Sequence, residues 1–158
     1  MRLRSPVLLL VPAAFLGACA SVPNDAASYS EAPVAPDGYA TVYFYRVGAY
    51  PTLRKPDVLV SGVRVYEPPE LSYTWVHLKA GDRTFRIEWA WDTKWPPVEF
   101  IQTIAAGESY YIKISGSFES KGFTHVLGSS ARLVPPREAE AELATCCKYI
   151  KAEVQRLQ

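Results

Sequence analysis

The chain has 158 residues, with 17 basic and 16 acidic side chains and a formal net charge of +1. That balance excludes the strongly basic surface needed to bind nucleic acid through its phosphates. One domain is expected, because at about 150 residues a single core buries roughly two thirds of the unfolded surface without metal or disulfide staples.

Met1-Arg2-Leu3-Arg4 precedes an apolar stretch from Val7 to Leu16, followed by Gly17-Ala18-Cys19. This is the three-part layout of a secretory signal. The stretch is too short to cross a bilayer, which takes ~20 apolar residues, and it contains Pro12. Leu16-Gly17-Ala18-Cys19 adds the pattern of a lipoprotein leader, so residues 1–18 are expected to be removed between Ala18 and Cys19, with Cys19 lipidated. The alternative is an ordinary signal with a coincidental cysteine. Two or more acyl chains on Cys19 would hold the protein on a membrane, and no spanning helix is then required. Ala20 rather than Asp follows Cys19, which predicts outer-membrane attachment facing the periplasm.

From residue 19 to 37 the chain is rich in Ala, Ser, Pro, Asn and Asp and reads as a flexible tether. The folded domain is expected over 38–158. Thr41 to Val47 is dense in β-branched and aromatic residues and predicts a strand. Val58-Leu59-Val60 and Val63 to Tyr66 flank Ser61-Gly62 and predict a hairpin. Tyr73 to Leu78 follows, then a turn at Lys79-Ala80-Gly81-Asp82. From Thr84 to Trp91 apolar Phe85, Ile87, Trp89 and Trp91 alternate with Arg86 and Glu88, the signature of a strand with one buried side. Further strands are expected at Val98 to Ile104, Tyr110 to Ile114, Thr124 to Leu127 and Ala131 to Val134. The expected fold is an antiparallel β-sandwich of seven or eight strands.

The period then changes. Leu143, Cys147, Ile150, Val154 and Leu157 form one helical stripe and predict a C-terminal helix over about 137–157. Pro135-Pro136 suits its first turn, and early glutamates with later lysines suit its dipole. Within that helix Cys146 and Cys147 are adjacent, with side chains ~100° apart, so they do not readily pair. The ordinary reading makes Cys147 a small apolar contact with Cys146 at its margin. An intermolecular disulfide, a vicinal disulfide with a broken helix, and metal binding are the alternatives, in that order.

Few residues point to chemistry. His77 and His125 have no metal-ligand spacing with other candidate ligands, no nucleophile elbow or phosphate-binding glycine loop is present, and neither metal nor cofactor is expected. Four tryptophans cluster at Trp75, Trp89, Trp91 and Trp95. Trp89 and Trp91 share an apolar face and are expected to be buried. Trp95, in the polar and proline-stiffened loop Asp92 to Pro97, is the expected exposed ligand contact, with Trp75 beside it.

Val42-Tyr43-Phe44-Tyr45-Arg46, Gly62, Ala80-Gly81 before Thr84-Phe85, and Ala106-Gly107-Glu108-Ser109-Tyr110-Tyr111-Ile112 together resemble a family of small bacterial lipoproteins, domain of unknown function 2846. The resemblance covers about residues 40–115, and Ser61 stands where that family often places an acid. It implies a β-sandwich and an envelope location, and no chemistry. The expected function is a lipid-anchored, non-enzymatic interaction or structural module of the cell envelope. Its expected partners are the membrane, through the acyl chains, and an envelope protein or peptidoglycan. The alternatives are a peptidoglycan or glycan binder using Trp95, and a redox or enzymatic role through Cys146 and Cys147.

Overall fold

The computed structural model describes residues 22–48, 54–121 and 124–158. The leader 1–18 and Cys19 lie outside them. Ten strands are present among the described residues, in two sheets. The first sheet runs β10-β4-β1-β7-β8, with β9 also on β4, and comprises β1 (Tyr39–Arg46), β4 (Ser72–Lys79), β7 (Ser109–Lys121), β8 (Thr124–Val134), β9 (Lys148–Tyr149) and β10 (Arg156–Leu157). The second runs β3-β2-β5-β6, from β2 (Asp57–Val60), β3 (Val63–Tyr66), β5 (Gly81–Glu88) and β6 (Val98–Ile104). The expected sandwich is present, with more strands than anticipated because two pairs of C-terminal residues add short strands at β4.

Alternation builds the core. Val42 and Phe44 of β1, Val76 and Leu78 of β4, and Ile112 and Ile114 of β7 point to one side. They meet Val58, Val60, Phe85 and Ile87 of the other sheet, with the Phe44 and Phe85 rings 6.0 Å apart. Each of these side chains is fully withdrawn from water. The hairpin between β2 and β3 turns at Ser61 and Gly62, both at positive φ (49° and 81°), the two-residue geometry whose twist matches the strands it joins.

Three expectations are corrected. The first sheet is mixed rather than antiparallel, because β1 and β7 run parallel from Thr41↔Ser109 to Arg46↔Ile114. After β6 the chain crosses between sheets through Ala105 to Glu108. The Gly107 N–H donates to the Tyr39 carbonyl (2.8 Å), and Gly107 lies at φ 81°, where glycine is favoured, so β7 starts from the same end as β1. The expected break at Gly128-Ser129-Ser130 does not occur. Those residues pair with Ser117, Gly116 and Ser115, and β8 continues through them as one strand of a long hairpin.

The helix is the third correction. α1 spans Pro136–Cys146 only, and Cys147 is already extended (φ −117°, ψ 142°). Cys146 and Cys147 are joined by a disulfide, the alternative with a broken helix. Adjacent helical side chains diverge by ~100°, so the link and a continuing helix exclude one another.

α1 forms a third layer. It lies over the outer face of the first sheet, where Ala139, Leu143 and Cys147 pack with Tyr43, Tyr45, Tyr73, Tyr111 and Val134. The segment read as tether also packs here. Ser28 bridges to Lys148, and the Ala32 N–H donates to the Tyr43 hydroxyl oxygen (2.8 Å).

Candidate binding cleft

The outer face of the first sheet is a tyrosine surface. Tyr43 and Tyr111 are register partners in the parallel pair, and their rings stack 4.6 Å apart at 4°. Tyr29, from the N-terminal segment, meets Tyr73 edge-on at 5.3 Å. The Ser30 N–H donates to the Tyr73 hydroxyl oxygen (3.0 Å). From α1, Glu140 accepts the Tyr111 hydroxyl proton (2.9 Å), and Glu142 accepts from the Tyr45 hydroxyl (2.7 Å) and from Lys113 Nζ (2.5 Å). Helix and N-terminal segment are thus both held to the sheet by phenols.

Between these two coverings a cleft of about 350 Å³ opens. Its floor includes Tyr43, Tyr111, Thr41 and Ser109, and the carboxylates of Glu31 and Glu140 stand on its walls. None of its lining residues is Lys, Arg or His. Val34, on the N-terminal wall, is 95% exposed. The volume is within the ordinary range for ligand pockets of ~300–1,000 Å³.

The electrostatics follow from this arrangement. Burial, with Glu31 and Glu140 nearby, raises the pKa of Tyr43, although the Ala32 N–H opposes it. Burial and the hydrogen bond to Glu140 raise that of Tyr111. Tyr29 is pushed up to about 12, chiefly by burial. These phenols are therefore protonated at neutral pH and are not nucleophilic phenolates; Tyr111 donates to Glu140, whereas the Tyr43 oxygen accepts from Ala32. Burial pushes Glu142 upward, but Lys113 and the Tyr45 hydroxyl outweigh it, and its carboxyl stays below the usual range. Glu142 does not line the cleft; Glu31 and Glu140, with no basic residue in the lining, give it an acidic character.

His77 lies on the same sheet face, 5% exposed, opposite Thr41, whose Oγ1 is 3.4 Å from Nδ1. Burial, then the Arg156 guanidinium, lowers its pKa. The sign is that of a group disfavoured when charged. Above the ordinary histidine value of 6.5 it is neutral in both states and has no effect on pH dependence. Below that value the unfolded chain binds the proton first, so stability falls until the folded-state pKa is also passed. Between about pH 7 and about pH 5 the thermal midpoint of wild type is expected to drop further than that of His77→Gln. Equal drops would remove His77 from the account.

The expected ligand contacts are placed differently. Trp95 is buried at 9% exposure, its ring 4.9 Å from Trp89, and Trp91 is 92% exposed. The reason is local. β5 ends at Glu88, so alternation no longer governs Trp91, which opens a 3-10 turn (Trp91–Thr93). Lys94 follows in the left-handed region (φ 54°) and turns the chain back, placing Trp95 on the core. Trp89 is buried as expected, and its indole N–H donates to Ser129 Oγ (2.7 Å). Trp75 is half-buried, 5.0 Å from the His77 ring and 6.4 Å from that of Tyr149. It lies on the tyrosine face and does not line the cleft. His125 falls in β8, with its side chain outside those described.

The cleft residues escaped the sequence reading. A signal was present in Thr41 to Val47, where both alternating faces are apolar or aromatic, the pattern of a strand covered on both sides. No protein-family model matches the chain, and no curated protein or solved structure matches it.

Proposed function

We propose that this chain is a lipid-anchored protein of the cell envelope whose sandwich domain is a non-enzymatic interaction module, and that its cleft grips a basic group on a partner. The reading of the anchor rests on Leu16-Gly17-Ala18-Cys19, and Ala20 supports attachment to the outer membrane facing the periplasm. The observation that carries the module is the cleft itself. Glu31 and Glu140 stand over stacked, protonated tyrosines with no basic residue in the lining. An ammonium or guanidinium group entering it meets two carboxylates and two aromatic rings, the surroundings that favour a partly desolvated cation.

The docked N-terminal segment also sets the standoff distance. Ser28 is held at Lys148, and only nine residues separate it from Cys19 along the chain, a length that reaches no further than about 30 Å. The tyrosine face therefore works close to the membrane surface.

Two measurements test the reading. Cys19→Ala is expected to move the protein from the membrane to the soluble fraction, and retention on the membrane would discard the anchor. Titration with a lysine- and arginine-containing peptide is expected to shift the resonances of Tyr43 and Tyr111, with at least tenfold weaker binding in Glu31→Gln/Glu140→Gln. Equal binding by that variant would discard the cleft. A second reading, contact with cell-wall glycan, is favoured by the 92% exposure of Trp91. Retention on isolated sacculi that is lost in Trp91→Ala would support it.

A further inference from the structure

The last twelve residues combine a helical sequence with an extended structure. Residues 147–158 contain no Gly or Pro, and Ile150, Val154 and Leu157 continue the apolar stripe of Leu143 and Cys147. By pattern and propensity they extend α1. Instead the helix stops at Cys146, and the chain runs on extended to β9 and β10. The disulfide sits at the junction, between half-buried Cys146 and Cys147, which is 4% exposed. Conflict between a strong local preference and the observed state is characteristic of functional or strained sites.

The extended arrangement performs a definite task. The Lys148 and Ile150 N–H groups donate to the carbonyls of Leu71 and Tyr73 (3.0 and 2.9 Å), beside β4. The Tyr149 N–H donates to the Ala27 carbonyl (2.8 Å), and Lys148 Nζ donates to Ser28 Oγ (2.9 Å). The Tyr149 ring packs 5.5 Å from Tyr73. The three residues just past the link therefore clamp the N-terminal segment to the sheet. Continuing α1 through Cys147 would turn these backbone groups into the helix and withdraw them from Ala27 and Leu71.

We propose that the Cys146–Cys147 disulfide is a site of thiol–disulfide exchange with a dithiol reductant, and that its opening releases the clamp on the N-terminal segment. A thiolate of the dithiol attacks Sγ of Cys146, the more exposed partner. The sulfur–sulfur bond breaks, and Cys147 departs as a thiolate and takes up a proton. The second thiol of the reductant then attacks the mixed disulfide, freeing Cys146 and closing the reductant's own disulfide. Two electrons pass to the cysteines, each sulfur ends with one proton, and a disulfide oxidant reverses the step. With both thiols free, α1 extends and residues 27–28 lose their partners. This switch does not depend on the anchor or on the cleft's ligand.

The test uses the full chain carrying Cys19→Ala, which leaves Cys146 and Cys147 as the only cysteines. Purified without reductant, it is expected to take up no alkylating reagent, and two equivalents after dithiothreitol. On reduction, amide exchange at Tyr149, Ile150 and residues 27–32 is expected to accelerate at least tenfold, with a gain in helical circular dichroism, while Val42 and Phe44 stay protected. Cys146→Ser/Cys147→Ser is expected to match the reduced chain, and if that variant does not fold, the reduced and oxidised wild-type cysteines carry the comparison. Free thiols before reduction, unchanged protection at Tyr149 and Ile150, or loss of protection throughout β1 would each overturn the proposal.

Discussion

Replacing Arg46 with alanine is expected to destabilise the domain by about 3–5 kcal/mol, a large share of the ~5–15 kcal/mol that holds a domain of this size together. Arg46 ends β1 and is fully buried. Its Nε lies 3.0 Å from Glu70 Oε2, its Nη1 donates to the carbonyls of Arg54 and Pro68 (2.8 and 3.1 Å), and its guanidinium stands 5.0 Å from the centre of the Trp89 ring. One planar group thus joins β1, the chain on both sides of the β2–β3 hairpin and the aromatic pair Trp89–Trp95. Burial lowers its pKa, and Glu70 opposes that shift, so the cation is stabilised by its partners rather than by water. Alanine removes the cation beside Glu70 and the donor to two carbonyls, and it opens a void under Trp89. Lysine restores charge without the fork and is expected to recover only part of the loss. Urea midpoints for wild type, Arg46→Ala and Arg46→Lys measure both effects. A shift equivalent to less than about 1 kcal/mol for alanine would show that the loop carbonyls and Glu70 find water instead.

Leu143→Ala is expected to cost about 2–5 kcal/mol, and to do so by loosening one layer. α1 has only Ala139 and Leu143 fully buried against the sheet. An isolated helix of eleven residues is marginal in water, so its persistence depends on that contact. Shortening Leu143 leaves a void among Tyr45, Tyr73 and Val134 and weakens the hold on Glu140 and Glu142, which bind Tyr111 and Tyr45. Amide exchange is expected to quicken along α1 well before the strands yield, and peptide binding in the cleft is expected to weaken with it. Uniform acceleration across both sheets would mean that the helix is part of one cooperative unit.

The parts of the fold legible from sequence are those governed by local alternation. β5 shows Phe85 and Ile87 inward against Arg86 and Glu88 outward, as the alternation dictates. The Ser61-Gly62 turn was legible because its backbone demands are local. Local pattern misleads wherever something distant or covalent overrules it. Period two continued past Glu88 puts Trp91 inside and Trp95 outside, whereas a 3-10 turn exchanges them. The stripe from Leu143 to Leu157 is a sound helical signal that a bond between neighbouring cysteines interrupts. The cleft was the least legible feature, because its walls come from residues 31–35 and from α1, segments whose meeting place depends on tertiary packing.

The docking of Ser28 against Lys148 has a consequence for the order in which the molecule is made. These residues are 120 positions apart, and the contact joins the first described segment to the stretch just past the helix. Contacts of such wide sequence separation form slowly in general, and this one can form only once the C-terminal stretch is present. The sandwich strands from β1 to β8 have all emerged by then. A polypeptide trimmed before Lys148 therefore retains the residues of β1 to β8 and lacks those that hold Ala27 and Ser28 against the sheet.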